Sequence, residues 1–229
     1  MAFNKKDLEI FLRNAILLDG FKFGHDVTAF YWQKEADGVI NRIEVGYRKY
    51  PGSFYLHTPL AMVKFNEMED IIHEYIQKYG IENSYGEYTI QSRFRDLPEV
   101  DYSKFDIEIH DEASFNEVVT EVNKIIEYGA MPFFEKFKTL QDVNKSLNEM
   151  DEVEISRFVS GIVGIKIPLI KKLINASDFK DELLKKKEWY IDREEFKNHR
   201  HFKDHDLVFN DLFSEDLREQ QVIMCQNRG

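Results

Sequence analysis

The chain has 229 residues, of which 43% are hydrophobic, 32% charged and 14% aromatic, and its formal net charge is -11. This apolar fraction excludes a disordered chain, and 11 Gly with 5 Pro exclude a collagen-like or low-complexity one. A single cysteine excludes a disulfide framework and a thiolate zinc site, and no apolar run approaches the roughly 18 residues of a membrane span.

The first residues pass straight into a charged amphipathic pattern with no signal-peptide core, so a soluble protein of a reducing cytoplasm is expected. Asn4 is placed to cap a helix carrying Leu8, Phe11, Leu12, Ala15 and Ile16 at helical spacing, with Gly20 as its left-handed stop. The period then changes. Residues 28–34 and 39–48 are aromatic and β-branched, and Ala36-Asp37-Gly38 between them predicts a hairpin. Pro51-Gly52 predicts a second turn, into a strand over 53–64. Strands joined by such short turns must be antiparallel.

Asn66-Glu67-Met68-Glu69 has the spacing of a capping box, and Met68, Ile71, Ile72, Tyr75, Ile76 and Tyr79 form the apolar stripe of a second helix ended by Gly80. Two further strands are predicted over 84–94 and 104–110, separated by the loop 95–101. Ser114 to Glu117 then reads as a capping box opening a helix with Phe115, Val118, Val119, Val122, Ile125 and Ile126 on one face. Beyond Gly129 the pattern is helical, over 139–149, 152–164, 168–175 and 179–190, with Pro168 expected to begin a helix. The fold class expected is α+β: an antiparallel meander sheet packed against helices over 1–138, followed by a helical C-terminal part over 139–229 that continues the same body.

The charge is uneven. Residues 1–65 hold 9 basic and 7 acidic side chains, residues 66–154 hold 8 and 22, and residues 155–229 hold 14 and 13, which gives +2, -14 and +1. The acidic middle disfavours sequence-independent binding to nucleic acid and favours a cationic partner. An acidic excess also simply keeps a protein soluble.

Two groups of side chains could carry metal chemistry. His199, His201 and His205 lie among carboxylates, and imidazole with carboxylate binds zinc-like ions, but the segment also carries Arg193, Lys197, Arg200 and Lys203 and lacks a helical zinc-hydrolase order. Asp106, Glu108 and His110 would share one face of a strand opposite Phe105, Ile107 and Ile109, as two carboxylates and an imidazole suited to a divalent ion. The simpler account is a strand with one wet acidic face. Nucleophile elbows, phosphate-cradling loops and dinucleotide fingerprints are absent from the sequence, so no cofactor is expected.

Residues 125–137, Ile-Ile-Glu-Tyr-Gly-Ala-Met-Pro-Phe-Phe-Glu-Lys-Phe, resemble a bacterial α+β domain family of unknown function whose members end a helix on a Pro-Phe-Phe turn. Leu18-Asp19-Gly20-Phe21-Lys22, followed by Phe30-Tyr31-Trp32, is similar to the opening of the same family, and the resemblance spans residues 4–175. In physical terms Pro132 stops the helix while Phe133, Phe134 and Phe137 pin the next segment to the core. The family has no catalytic motif to carry over. Some relatives resemble immunity proteins, small cytoplasmic partners that neutralise the toxins of competing bacteria.

The function expected is therefore a non-enzymatic binding protein, an immunity protein presenting an acidic surface to a basic toxin. Asp96, Glu99, Asp101, Asp106, Glu108, Asp111 and Glu112 would steer the partner, with Tyr85, Tyr88 and Tyr102 as anchors. The alternative is a metal-dependent hydrolase using the His199, His201, His205 cluster or the Asp106, Glu108 face.

Overall fold

A computed structural model describes residues 4–79, 86–191, 207–212 and 214, with side chains described for all of these except 189–191. The elements in order are α1 (Lys5–Ala15), β1 (Lys22–His25), β2 (Ala29–Ala36), β3 (Val39–Tyr50), β4 (Ser53–Leu56), β5 (Leu60–Phe65), α2 (Asn66–Tyr79) and β6 (Ile90–Arg93), then a 3-10 turn at Tyr102–Asp106. The helical part follows as α3 (Glu112–Ile125), a π-turn (Ile126–Ala130), α4 (Met131–Lys136), α5 (Leu140–Leu147), α6 (Glu152–Phe158), α7 (Val163–Leu173) and α8 (Phe179–Ile191). The fold is α+β, with six strands in one antiparallel sheet ordered β1-β2-β3-β5-β6 and β4 paired to β3.

The β2–β3 hairpin closes with Ala36 opposite Val39, and Asp37 and Gly38 have φ of 51° and 76°. Positive φ at both loop positions is the tight hairpin geometry that an Asp-Gly pair supplies at low steric cost. Pro51-Gly52 closes the next hairpin, with Tyr50 opposite Ser53 and Gly52 at φ 84°.

Alternation along the strands sends Phe30, Trp32, Ile43, Val45, Phe54, Leu56, Ala61, Val63, Phe65 and Ile90 to one buried face. Helices cover it with Leu8 and Leu12 of α1, Met68 and Ile72 of α2, and Phe115, Val118 and Val122 of α3. The same buried cluster continues without a break through Leu140, Val143, Phe158, Ile165, Ile170 and Leu183, past position 138. Val208, Phe209 and Leu212 join it, and Asp211 meets Lys78 and Tyr79 at the end of α2.

Several elements depart from the sequence pattern, each for a local reason. Helix α1 ends at Ala15 rather than Gly20, because Ile16 turns extended and its carbonyl accepts from the buried Trp32 indole at 3.2 Å; Gly20, at φ 75°, instead forms the turn into β1. The predicted strand over 53–64 is two strands, β4 and β5, both lying along β3. The predicted strand over 84–94 is shorter, since Gly86 has φ 42° and ladder pairing covers only 90–93; residues 84–85 and Gly80 lie outside the described residues. The predicted strand over 104–110 is a 3-10 turn followed by a single bridge between Ile109 and Phe54. Asp101 caps that turn by accepting from the Ser103 amide, and the 3-10 period brings Tyr102 and Phe105 to one side with ring centroids 6.4 Å apart.

Helix α3 is capped by Asp111, not Ser114; Ser114 supplies the return hydrogen bond to the Asp111 amide. Pro132 does not stop the helix. A π-turn absorbs the missing donor, and Pro132 sits in the first turn of α4. Phe133, Phe134 and Phe137 are buried, packing on Phe94, Phe158 and Phe21. Gly129 in the π-turn lets Phe94 and Leu97 approach so closely that an added Cβ would lie 2.8 Å from the Phe94 ring.

The expected helix 152–164 stops at Phe158, because Val159 is extended and bridges Ile90 while the Ser160 amide donates to the Thr89 carbonyl at 3.1 Å. That bridge covers the outer edge of β6. Helix α7 then starts at Val163, placing Pro168 inside the helix instead of at its start. Residues 164–171 are buried throughout, so packing outweighs the lost hydrogen bond.

One of those buried residues is Lys166, 1% exposed, which meets Glu69 of α2, 7% exposed. The ammonium reaches both Glu69 oxygens at 2.9 and 3.1 Å and the carbonyls of Tyr88 and Gly86 at 2.6 and 3.4 Å. Thr89, also buried, donates to Glu69 at 2.8 Å and accepts from the Phe65 amide at 3.1 Å. Glu69 therefore does not close a capping box as its spacing suggests; its carboxylate turns into the core. Burial pushes the Glu69 carboxyl up and the Lys166 ammonium down, and their mutual attraction opposes both shifts.

Replacing Lys166 by Met leaves a buried carboxylate without its cation and should cost about 3–5 kcal/mol, whereas Glu69→Leu with Lys166→Met should recover most of that loss. Urea unfolding of the two variants beside the wild type measures both values; equal losses in the single and double variants would refute the pairing. Gly129→Ala should cost about 1–3 kcal/mol by overpacking against Phe94 and Leu97, read from the same unfolding midpoints.

Candidate functional site

Two surfaces hold the chemistry, and they meet at Asp106. The first is the connection from β6 to α3, residues 94–111. It is anchored at several points along its length. Phe94 and Leu97 pack on Gly129, the Leu97 amide donates to the Tyr102 hydroxyl at 3.2 Å, and the Asp101 amide donates to the buried Glu121 at 2.8 Å. Lys104 pairs with Glu117 at 2.9 Å, and the Ile109 and Phe54 backbones exchange hydrogen bonds of 2.8 and 2.9 Å.

On this scaffold Asp96, Glu99, Asp101, Asp106, Glu108, Asp111 and Glu112 are all exposed. Three of them have internal work. Asp101 caps the 3-10 turn and is held below the usual carboxylate range by hydrogen bonds from the Ser103 hydroxyl and amide. Asp111 caps α3 and is lowered by hydrogen bonds from Ser114. Glu108 accepts from Ser53. Asp96, Glu99, Asp106 and Glu112 have no such role among the described residues.

The expected tyrosine anchors fare differently. Tyr102 is half-buried and its hydroxyl is spent on the Leu97 amide. Tyr88 is half-buried, burial pushes its phenol up, and its ring centroid lies 5.8 Å from the Arg42 guanidinium, which stacks 3.8 Å above the Tyr31 ring. Tyr85 and the cluster of His199, His201 and His205 lie outside the described residues. Asp106 and Glu108 do not share a strand face as the sequence suggested: Asp106 ends the 3-10 turn and Glu108 turns to Ser53. Among the described residues no three His, Cys, Asp or Glu side chains are grouped to hold a metal ion.

The second surface was not marked by any motif. Between Leu56 and Leu60 the chain has three residues, His57, Thr58 and Pro59, opposite two on β3, Val45 and Gly46. One extra residue makes a β-bulge, which re-aims the side chains beside it. The His57 amide keeps its place by donating to the Gly46 carbonyl at 2.8 Å. Its ring lies over Gly46, where a Cβ would stand 3.0 Å from Nδ1.

Two adjoining recesses of 390 and 310 Å³ flank His57 and share Leu56, His57, Phe105 and Asp106. Arg93 of β6 and Glu44 of β3 line the larger; Arg48 of β3, Tyr50 and Tyr55 line the smaller. Partial burial, then the charges of Arg48 and Arg93, hold the His57 imidazole below its ordinary value. The only hint of this site in the sequence was the Gly46 and Pro59 pair, since glycine and proline inside strand patterns mark bulges.

No protein-family model matches this chain, and no curated protein or solved structure shows significant similarity to it. Among the described residues, no helix is long and apolar enough to cross a membrane.

Because cationic neighbours disfavour the imidazolium, Arg93→Gln should raise the His57 titration midpoint, followed by NMR of the ring protons. Gly46→Ala should displace the His57 ring and change its chemical shifts, with little change in the Phe30 and Val45 pairing behind it.

Proposed function

We propose that this protein is a non-enzymatic binding protein whose acidic ridge, residues 94–112, docks a basic protein partner, as an immunity protein docks a basic toxin. The observation that supports this reading most is a ridge of exposed carboxylates held on a backbone anchored at Gly129, Glu121 and Phe54. A fixed ridge loses little conformational freedom on binding, and clustered negative charge accelerates encounter with a positive partner. Asp96, Glu99 and Glu112 carry the recognition, because the caps Asp101 and Asp111 and the Ser53-bound Glu108 are committed to the fold and Asp106 lines the His57 recess.

Neutralising Asp96, Glu99 and Glu112 together to Asn and Gln should leave the melting temperature unchanged and weaken partner capture at low salt by about tenfold or more, since charge complementarity governs association. The measurement compares basic proteins retained by wild type and variant from cells of the source organism, each eluted by a salt gradient. A partner held equally by both proteins, or one insensitive to salt, refutes the acidic ridge as its docking surface.

A further inference from the structure

The His57 recess is independent of the acidic ridge reading and has its own chemistry. Three guanidinium groups lie on the outer face of the sheet, at Arg42, Arg48 and Arg93, because residues 42, 44, 46 and 48 of β3 alternate away from the core and Arg93 pairs with Leu60 opposite Glu44. Arg42 shows what a structural arginine looks like in this fold: it is bound to Asp26 at 3.1 Å and Glu44 at 2.6 Å and stacked on Tyr31. Arg48 and Arg93 have neither an ion pair nor a hydrogen bond among the described residues, and both are exposed at the recess. Arg93 and the Thr58 hydroxyl in the larger recess, Arg48 in the smaller and the bulge-aimed His57 imidazole common to both supply donors suited to a doubly charged oxyanion.

The rest of the lining says what the anion is attached to. Tyr50 and Tyr55 stand edge to face with centroids 5.4 Å apart beside Arg48, offering ring surface against which a flat group stacks. Asp106, which lines both recesses, is poorly suited to phosphate but well suited to accept hydrogen bonds from sugar hydroxyls. We propose that the bulge recess binds a nucleoside monophosphate, with the phosphate between Arg48, Arg93 and His57, the ribose at Asp106 and the base on the Tyr50–Tyr55 pair.

The charged and titratable groups facing His57 are Glu44, Arg48 and Tyr50 from β3, Tyr55 from β4, Arg93 from β6 and Asp106 from the 3-10 turn. Glu44 is held by Arg42, so a bound phosphate dianion supplies the direct ion pair that Arg48 and Arg93 lack among the described residues. It must then favour the imidazolium.

The test follows the His57 ring resonances of the full chain during titration with adenosine 5′-monophosphate, inorganic phosphate and adenosine, each to about 10 mM so that millimolar affinity is visible. The monophosphate is expected to raise the His57 titration midpoint and to bind at least tenfold more tightly than inorganic phosphate, with adenosine weaker still. Arg48→Gln with Arg93→Gln, whose melting curve verifies folding, should lose tenfold or more in affinity, and Tyr55→Ala should bring the nucleotide down to the affinity of phosphate. No response of His57 to the monophosphate, or unchanged affinity in the arginine variant, overturns the site. Phosphate binding as tightly as the nucleotide overturns the base and ribose contacts.

Discussion

The Glu69–Lys166 pair is the constraint around which the two halves of the chain are assembled. An ammonium 1% exposed can persist only where oxygen ligands replace water, and here two carboxylate oxygens and two backbone carbonyls do so. Those ligands come from α2 and from the lead into β6, whereas the ammonium comes from α7. A slide of α7 by one turn would leave the charge among Ile165, Ile167 and Ile170 without ligands, so the pair fixes the helix along its axis in a way that interchangeable aliphatic contacts do not. Thr89 extends the constraint to the sheet, since it binds Glu69 with its hydroxyl and the Val63 carbonyl with its amide. The next residue, Ile90, bridges Val159, and this accounts for the break between α6 and α7.

From that anchor the position of the β6–α3 connection follows. β6 ends at Arg93, and the chain must travel from the sheet edge to the start of α3 at Glu112. It does so over Gly129, where the π-turn exposes a backbone stretch without a Cβ for Phe94 and Leu97 to cover. The Pro-Phe-Phe segment thus has a double use: Pro132 enforces the π-turn, and Phe133 meets Phe94 edge to face at 6.3 Å. The acidic residues lie outside because the apolar ones of the same segment are held inside.

Regular periodicity was legible, and capping and register were only partly so. The Asp-Gly hairpin, the stripes of α1, α2 and α3 and the antiparallel order could be read because each rests on local chemistry repeated over many residues. Glu69 was not, because a carboxylate three residues after Asn66 has the spacing of a cap and nothing local announces a lysine 97 positions away. Phe105, Ile107 and Ile109 alternate like a strand, but Asp101 with Ser103 offers a competing local turn, and among the described residues only Ile109 of this segment bridges a strand. Pro168 was misplaced for the opposite reason: a helix-breaking residue is tolerated when eight consecutive positions are buried. The bulge at His57 escaped because it is a counting mismatch between two strands, visible only once their register is known.

The two surfaces differ in charge and share Asp106, which poses the question of how exposed arginines coexist with the ridge on an acidic protein. The answer lies in the ledger of the sheet face. Asp26 and Glu44 share Arg42, and Glu108 is turned to Ser53, so none of these carboxylates pairs with Arg48 or Arg93. Arg48 and Arg93 thus stand without an ion pair among the described residues although the whole chain carries -11. Local charge is thus set by which side chains the fold has already paired, and the net value governs only the distant field that a partner or ligand meets first. An anion entering the recess must cross that repulsive field, which salt screens along with the ridge's attraction for a basic partner.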